Sequence, residues 1–131
     1  TIMGSLEHVY DPNKTLELCR AASRPRGLLL LEGRGIPQKE SKIYFNHNHH
    51  RYFSMVSIEL MMIKHGWEPI ITTDEPINGP TRLGAIFCLG RLTTLPSHEE
   101  FMKRIFAGKR ELPSEVIKRF DDLDNIKGVS N

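Results

Sequence analysis

Asn46-His47-Asn48-His49-His50-Arg51 is the densest run of side chains that could do chemistry. On an extended chain alternate residues share a face, so His47 and His49 would point the same way. Two imidazoles so placed suit zinc, copper, nickel or iron. A metal site needs a third ligand and usually a fourth. Glu59, His65, Asp74 and His98 are the groups at hand, and no spacing singles one out. The competing reading is a polar lead into a helix, with Asn46 or Asn48 as its N-cap. On this balance no cofactor is expected. A transition metal at His47 and His49 is the one arrangement that would make the chain a metal-dependent enzyme.

Arginines form the second group. Arg20, Arg24, Arg26 and Arg34 surround the first predicted strand and Arg51 starts the central helix; Lys103, Arg104, Lys109 and Arg110 form another basic cluster. Nucleic acid would need such cations on one face, with aromatics to stack on bases. Tyr44, Tyr52 and Trp67 are the available platforms. In outline the predicted sheet resembles that of the RNA-recognition modules. Their signature is matched by Arg82-Leu83-Gly84-Ala85-Ile86-Phe87 at the basic and small positions. It fails at the stacking aromatics, and the segment falls in the last strand. The net charge is only +2, with sixteen acidic residues interspersed. An RNA- or nucleic-acid-binding module using Arg24, Arg26, Arg34 and Arg51 is therefore an alternative rather than the main reading.

Catalytic patterns are missing from the sequence. There is no Gly-x-Ser-x-Gly, no phosphate-cradling loop ending in Gly-Lys-Ser/Thr, and no Cys/His pair at a recognised spacing. The sequence leans away from an enzyme and toward a protein–protein interaction, scaffolding or regulatory domain. Its partner would be another protein or a second copy. A sheet edge and the C-terminal helices would make the contact, with Met102, Ile105, Phe106 and Phe120 as the interface residues.

These groups must be positioned by an α+β fold. Asp11-Pro12 starts a helix as N-cap and first helical residue, with Leu16 and Cys19 facing inward. Leu28 to Glu32 reads as a strand, and Lys42 to Phe45 as a short second one. The central helix is expected from about His50 to His65. Phe53, Val56, Leu60 and Ile63 recur at three- and four-residue steps and should face the core, with Tyr52, Met55 and Met62 widening the stripe. Gly66 stops it. Trp67 to Thr73 and Leu83 to Leu92 form an antiparallel hairpin, with Pro76, Asn78, Gly79 and Pro80 in a long tip. Pro69 fits the first residues of a strand or an edge. Ser97 and Glu100 form a capping box for a helix. Leu112-Pro113-Ser114 begins another, carrying Val116, Ile117, Phe120 and Leu123. The expected order is α-β-β-α-β-β, a four-stranded, largely antiparallel sheet on a central helix, followed by two short C-terminal helices.

The 131 residues are 39% hydrophobic and 26% charged, a usual balance for one globular domain. Residues 6–93 are expected to be its compact part, 94–126 a helical extension packed on it or on a partner, and 1–5 and 127–131 disordered. No apolar run approaches the roughly 20 residues of a membrane helix. Two cysteines, Cys19 and Cys88, make neither a disulfide framework nor a zinc pattern. An intracellular, reducing location in cytoplasm or nucleus is the default.

Overall fold

The structure is a computed structural model that describes residues 1–35, 50–75 and 84–107. In chain order these form α1 (Pro12–Ala21), β1 (Leu28–Arg34), α2 (Met55–Lys64), β2 (Trp67–Thr73), β3 (Ala85–Leu92) and α3 (His98–Ala107). The helix starts are set by short polar motifs. Asp11 accepts hydrogen bonds from the backbone N–H groups of Asn13 and Lys14, and Pro12 follows it. The Ser54 hydroxyl accepts from Ser57 N, while the Ser57 hydroxyl accepts from Ser54 N. That reciprocal pair fixes the start of α2 at Met55 rather than near His50. Gly66 ends the α2 segment with a left-handed backbone (φ 74°), which its missing Cβ permits.

The sheet has three strands in the order β1-β3-β2, with both pairings antiparallel. This corrects the expected four-stranded sheet; the overall α+β class is consistent with the structure. Lys42 to Phe45, the expected extra strand, lies outside the described residues. A fourth strand beside β1 would need that strand's outward backbone groups, and these are already engaged. Ile2 donates to Leu30 O and accepts from Glu32 N, and Phe53 N donates to Arg34 O. Residues 1–5, expected to be loose, thus include a residue bridged to Leu31 of β1. The predicted hairpin of β2 and β3 is present, with Trp67 opposite Leu92 and Thr73 opposite Phe87. Its tip, 76–83, lies outside the described residues.

The core is built from Leu6, Leu16, Leu29, Leu31, Ile58, Met62, Trp67, Ile86 and Cys88. Large apolar side chains of this kind stabilise by roughly 1.5–3 kcal/mol each when fully buried. The face that α2 turns to the sheet is shifted from the expected one, keeping Met62 of the expected stripe and adding Ile58. Ile58 and Met62 are fully buried, while Val56, Leu60 and Ile63 are half-buried. Glycines explain this. A Cβ on Gly33 would stand 2.5 Å from Ile58 Cδ1, and one on Gly90 would stand 2.5 Å from Met62 Cε. The sheet is hollow under those two residues, so they are the ones that enter.

Candidate interaction surface

The capping box predicted for α3 is formed. Ser97 N donates to Glu100 Oε2 (2.8 Å) and Glu100 N donates to the Ser97 hydroxyl (3.2 Å). The Ser97 N–H, with its hydroxyl, holds the Glu100 carboxyl below the usual range. The helix has an apolar side but no buried residue. Met102 and Ile105 are half-buried, and Phe106 is 66% exposed. Arg104 tethers the helix to β2 through an ion pair with Glu68 (2.8 Å). Phe120, the fourth expected interface residue, lies outside the described residues, as does the segment expected to form a second C-terminal helix.

Strand order places β2 at the rim of the sheet, paired only with β3 among the described residues. The register slips between Pro69 and Ile71. Ile70 is 47% exposed and Ile71 58% exposed. Pro69 has no N–H, and a bulge bends the strand, so the backbone of this edge is partly blunted while its side chains are presented. Sequence reasoning took Ile70 and Ile71 as strand formers and missed them as surface. Pro69 was the available signal, because proline is tolerated on edges.

A groove of about 560 Å³ runs between α2 and α3, lined by Met55, Val56, Leu60, Ile63 and Ala107 with Glu59 and Arg104 among them. Val56, Leu60 and Ile63, which sequence periodicity assigned to the core, therefore line this groove with Met55, while Phe53 and Met62 of the same expected stripe do pack in or against the core.

Arg24 and Arg26 are exposed together in the turn between α1 and β1, where Arg26 adopts a left-handed backbone (φ 60°). Arg34 sits at the far end of β1, roughly 20 Å away at about 3.3 Å per strand residue. Arg51 is committed to the carbonyls of Val9 and Tyr10. The structure thus brings two of the four candidate arginines together and places the other two apart. His47 and His49 lie outside the described residues. Among the described residues no group of three His, Cys, Asp or Glu side chains is placed to hold a metal ion.

Two polar sites were not legible in the sequence. His65 is buried, with its Nε2 2.9 Å from Asn13 Oδ1. Burial lowers its pKa and neighbouring Lys64 lowers it further, against the opposing pull of Glu17 and Asp11. Beside it Arg20 donates to the carbonyls of His65 and Gly66, so the guanidinium locks α1 onto the end of α2. Glu7 is 4% exposed, 3.9 Å from His8 Nε2, and its Oε2 has no hydrogen-bond partner among the described residues. A single glutamate in a short lead-in gives no sequence signal for such burial.

No helix among the described residues is long and apolar enough to cross a membrane. Compared with protein-family models, with curated proteins and with solved structures, the chain matches none.

Proposed function

We propose that this chain is a non-catalytic, intracellular protein–protein interaction domain of the scaffolding or regulatory kind. Its contact surface is the open edge of β2 with α3 beside it, and its partner is a second copy of the chain. The observation that carries this reading is the exposure of Ile70 and Ile71 on a strand that has no neighbour on its outer side among the described residues. An edge strand offers backbone donors and acceptors to another chain, and exposed isoleucines add apolar area to the contact. Because Pro69 and the bulge interrupt the backbone, pairing runs over Ile71 to Thr73, and side chains supply the rest. On α3, which the Arg104–Glu68 ion pair ties to β2, Met102 and Ile105 are half-buried and Phe106 is exposed, and these side chains add apolar area to the proposed contact.

Absolute molar mass by light scattering, at low and high salt, tests the proposal. The expected result is an oligomer at both salts, with an absorbance ratio that shows no nucleic acid. Ile70→Lys/Ile71→Lys should give a monomer with an unchanged melting temperature. A monomeric wild-type chain at every concentration would sink the proposal, as would a mass that the double substitution leaves alone. A peak that carries nucleic acid at low salt and sheds it at high salt would favour the arginine reading centred on Arg24 and Arg26.

A further inference from the structure

Between α1 and the end of α2 lies a cavity of about 620 Å³, lined by Glu17, Arg20, Ala21, Lys64, His65 and Leu95. Small-molecule pockets commonly measure about 300–1,000 Å³. None of these residues belongs to β2 or α3. We propose that this cavity binds a small molecule through a dianionic phosphate group held by Arg20 and Lys64.

Three observations carry the proposal. The first is the charge balance. Glu17, the carboxylate in the lining, is already matched by Lys14 at 3.1 Å. Arg20 and Lys64 are in no ion pair among the described residues. The lining thus holds two cations without a counter-charge, and a phosphate dianion matches both.

The second is the set of free donors. Arg20 commits Nη1 to the carbonyls of His65 and Gly66, at 3.3 Å each. Its Nε and Nη2 donate to no other described residue. The Lys64 ammonium carries three N–H donors and directs one to Asn13 Oδ1 at 3.2 Å. A guanidinium fork beside an ammonium suits a phosphate oxyanion.

The third is that both cations are held in place. Asn13 Oδ1 accepts from Lys64 Nζ and lies 2.9 Å from His65 Nε2. An amide oxygen only accepts, so the neutral imidazole carries its proton on Nε2. Arg20 is fixed by the two carbonyls at the end of α2. Cations anchored before a ligand arrives lower the ordering cost of binding. Leu95, 58% exposed, and Ala21 offer an apolar edge to the rest of the ligand.

His65 makes a reporter for the site. The charged groups facing it are Lys64 on α2, Glu17 and Arg20 on α1, and Asp11 at the start of α1. An anion bound at Lys64 offsets that cation and favours the protonated ring.

The test follows amide and imidazole shifts of the full chain by NMR. Inorganic phosphate is added at about pH 8, where it is mostly dianionic, and at constant ionic strength. Saturable shifts are expected at residues 17–21 and 64–66. Lys64→Gln should weaken binding roughly fivefold, the scale of one partly exposed ion pair. Arg24→Gln/Arg26→Gln should leave it nearly unchanged. Acetate should bind more weakly than phosphate. Sulfate, whose charge is fixed, should raise the pH at which His65 takes up its proton in the wild-type chain. The proposal is overturned if the shifts do not saturate or centre elsewhere, or if His65 titrates alike with and without sulfate. It is also overturned if the Arg24 and Arg26 changes weaken binding as much as Lys64→Gln, or if acetate binds as tightly as phosphate. These readouts do not depend on molar mass, so the outcome is independent of self-association at the β2 edge.

Discussion

Gly33 of β1 lies beneath Ile58 of α2, so close that a Cβ on the glycine would stand 2.5 Å from Ile58 Cδ1 and 3.0 Å from the Phe53 ring. The same arrangement recurs one turn further along the helix, where Gly90 of β3 makes space for Met62. Two absent side chains therefore orient α2. Gly33→Ala is expected to destabilise by about 1–3 kcal/mol, the usual cost of overpacking, because Ile58 is fully buried and hemmed in. Gly90→Ala should cost less, since the flexible Met62 side chain can adjust. Urea unfolding of the two variants checks both the direction and the order.

Loss of stability at mildly acid pH should trace to His65. Burial, then Lys64, lowers its pKa in the folded state, while the unfolded value stays near 6.5. Below about pH 6.5 the unfolded chain binds the proton that the folded chain resists. Stability is therefore fully present above pH 6.5 and falls as pH drops toward the folded-state value. His65→Gln should flatten the pH dependence of stability in this window. An undiminished slope in the variant would assign the loss to other groups.

The two capping boxes should behave differently. Ser54→Ala removes the cap of a helix that carries core residues, so it should lower global stability by about 0.5–2 kcal/mol. Ser97→Ala removes the equivalent cap from α3, which buries no residue. It should fray α3 locally with little change in the unfolding midpoint. Hydrogen exchange at 98–107 beside a thermal melt separates the two effects.

Thiol labelling should single out Cys19. Cys88 is fully buried, and burial pushes its thiol pKa up, as does Glu59, despite the hydrogen bond from Thr72. Cys19 is half-exposed. In the native chain a thiol reagent should modify Cys19 first, while Cys88 reacts at a rate set by opening of the core. Mass spectrometry of peptides after timed labelling distinguishes the sites; early modification of Cys88 would contradict its placement.

The lock between α1 and α2 is open to direct attack. Arg20→Met keeps the aliphatic stem and removes the donors to His65 O and Gly66 O. Hydrogen bonds to a charged group contribute about 1.5–3 kcal/mol, and the partial exposure of this one places the expected loss near the lower end. A midpoint in urea within error of wild type would show that water replaces the guanidinium without cost.

Sequence alone determined the features that depend on neighbours a few residues away. Asp11 and Pro12 start α1, Ser97 and Glu100 cap α3, and Gly66 turns the chain after α2. Trp67–Thr73 and Ala85–Leu92 pair as a hairpin. Such choices are made by local sterics and hydrogen bonding, which residue types encode directly. The start of α2 was also written in the chain, in the Ser54 and Ser57 pair, but a serine at both positions is a weaker signal than serine with glutamate. Tertiary structure decided the rest. Helix α2 carries apolar residues nearly all round, from Met55 to Ile63, so periodicity cannot tell which side faces the sheet; the hollows at Gly33 and Gly90 do. The pairing of β1 with β3 joins residues as far apart as Leu28 and Arg91. Only that long-range contact makes β2 the open edge and exposes Ile70 and Ile71. Chain entropy opposes closing so long a loop, and the burial that offsets it comes from the whole core at once.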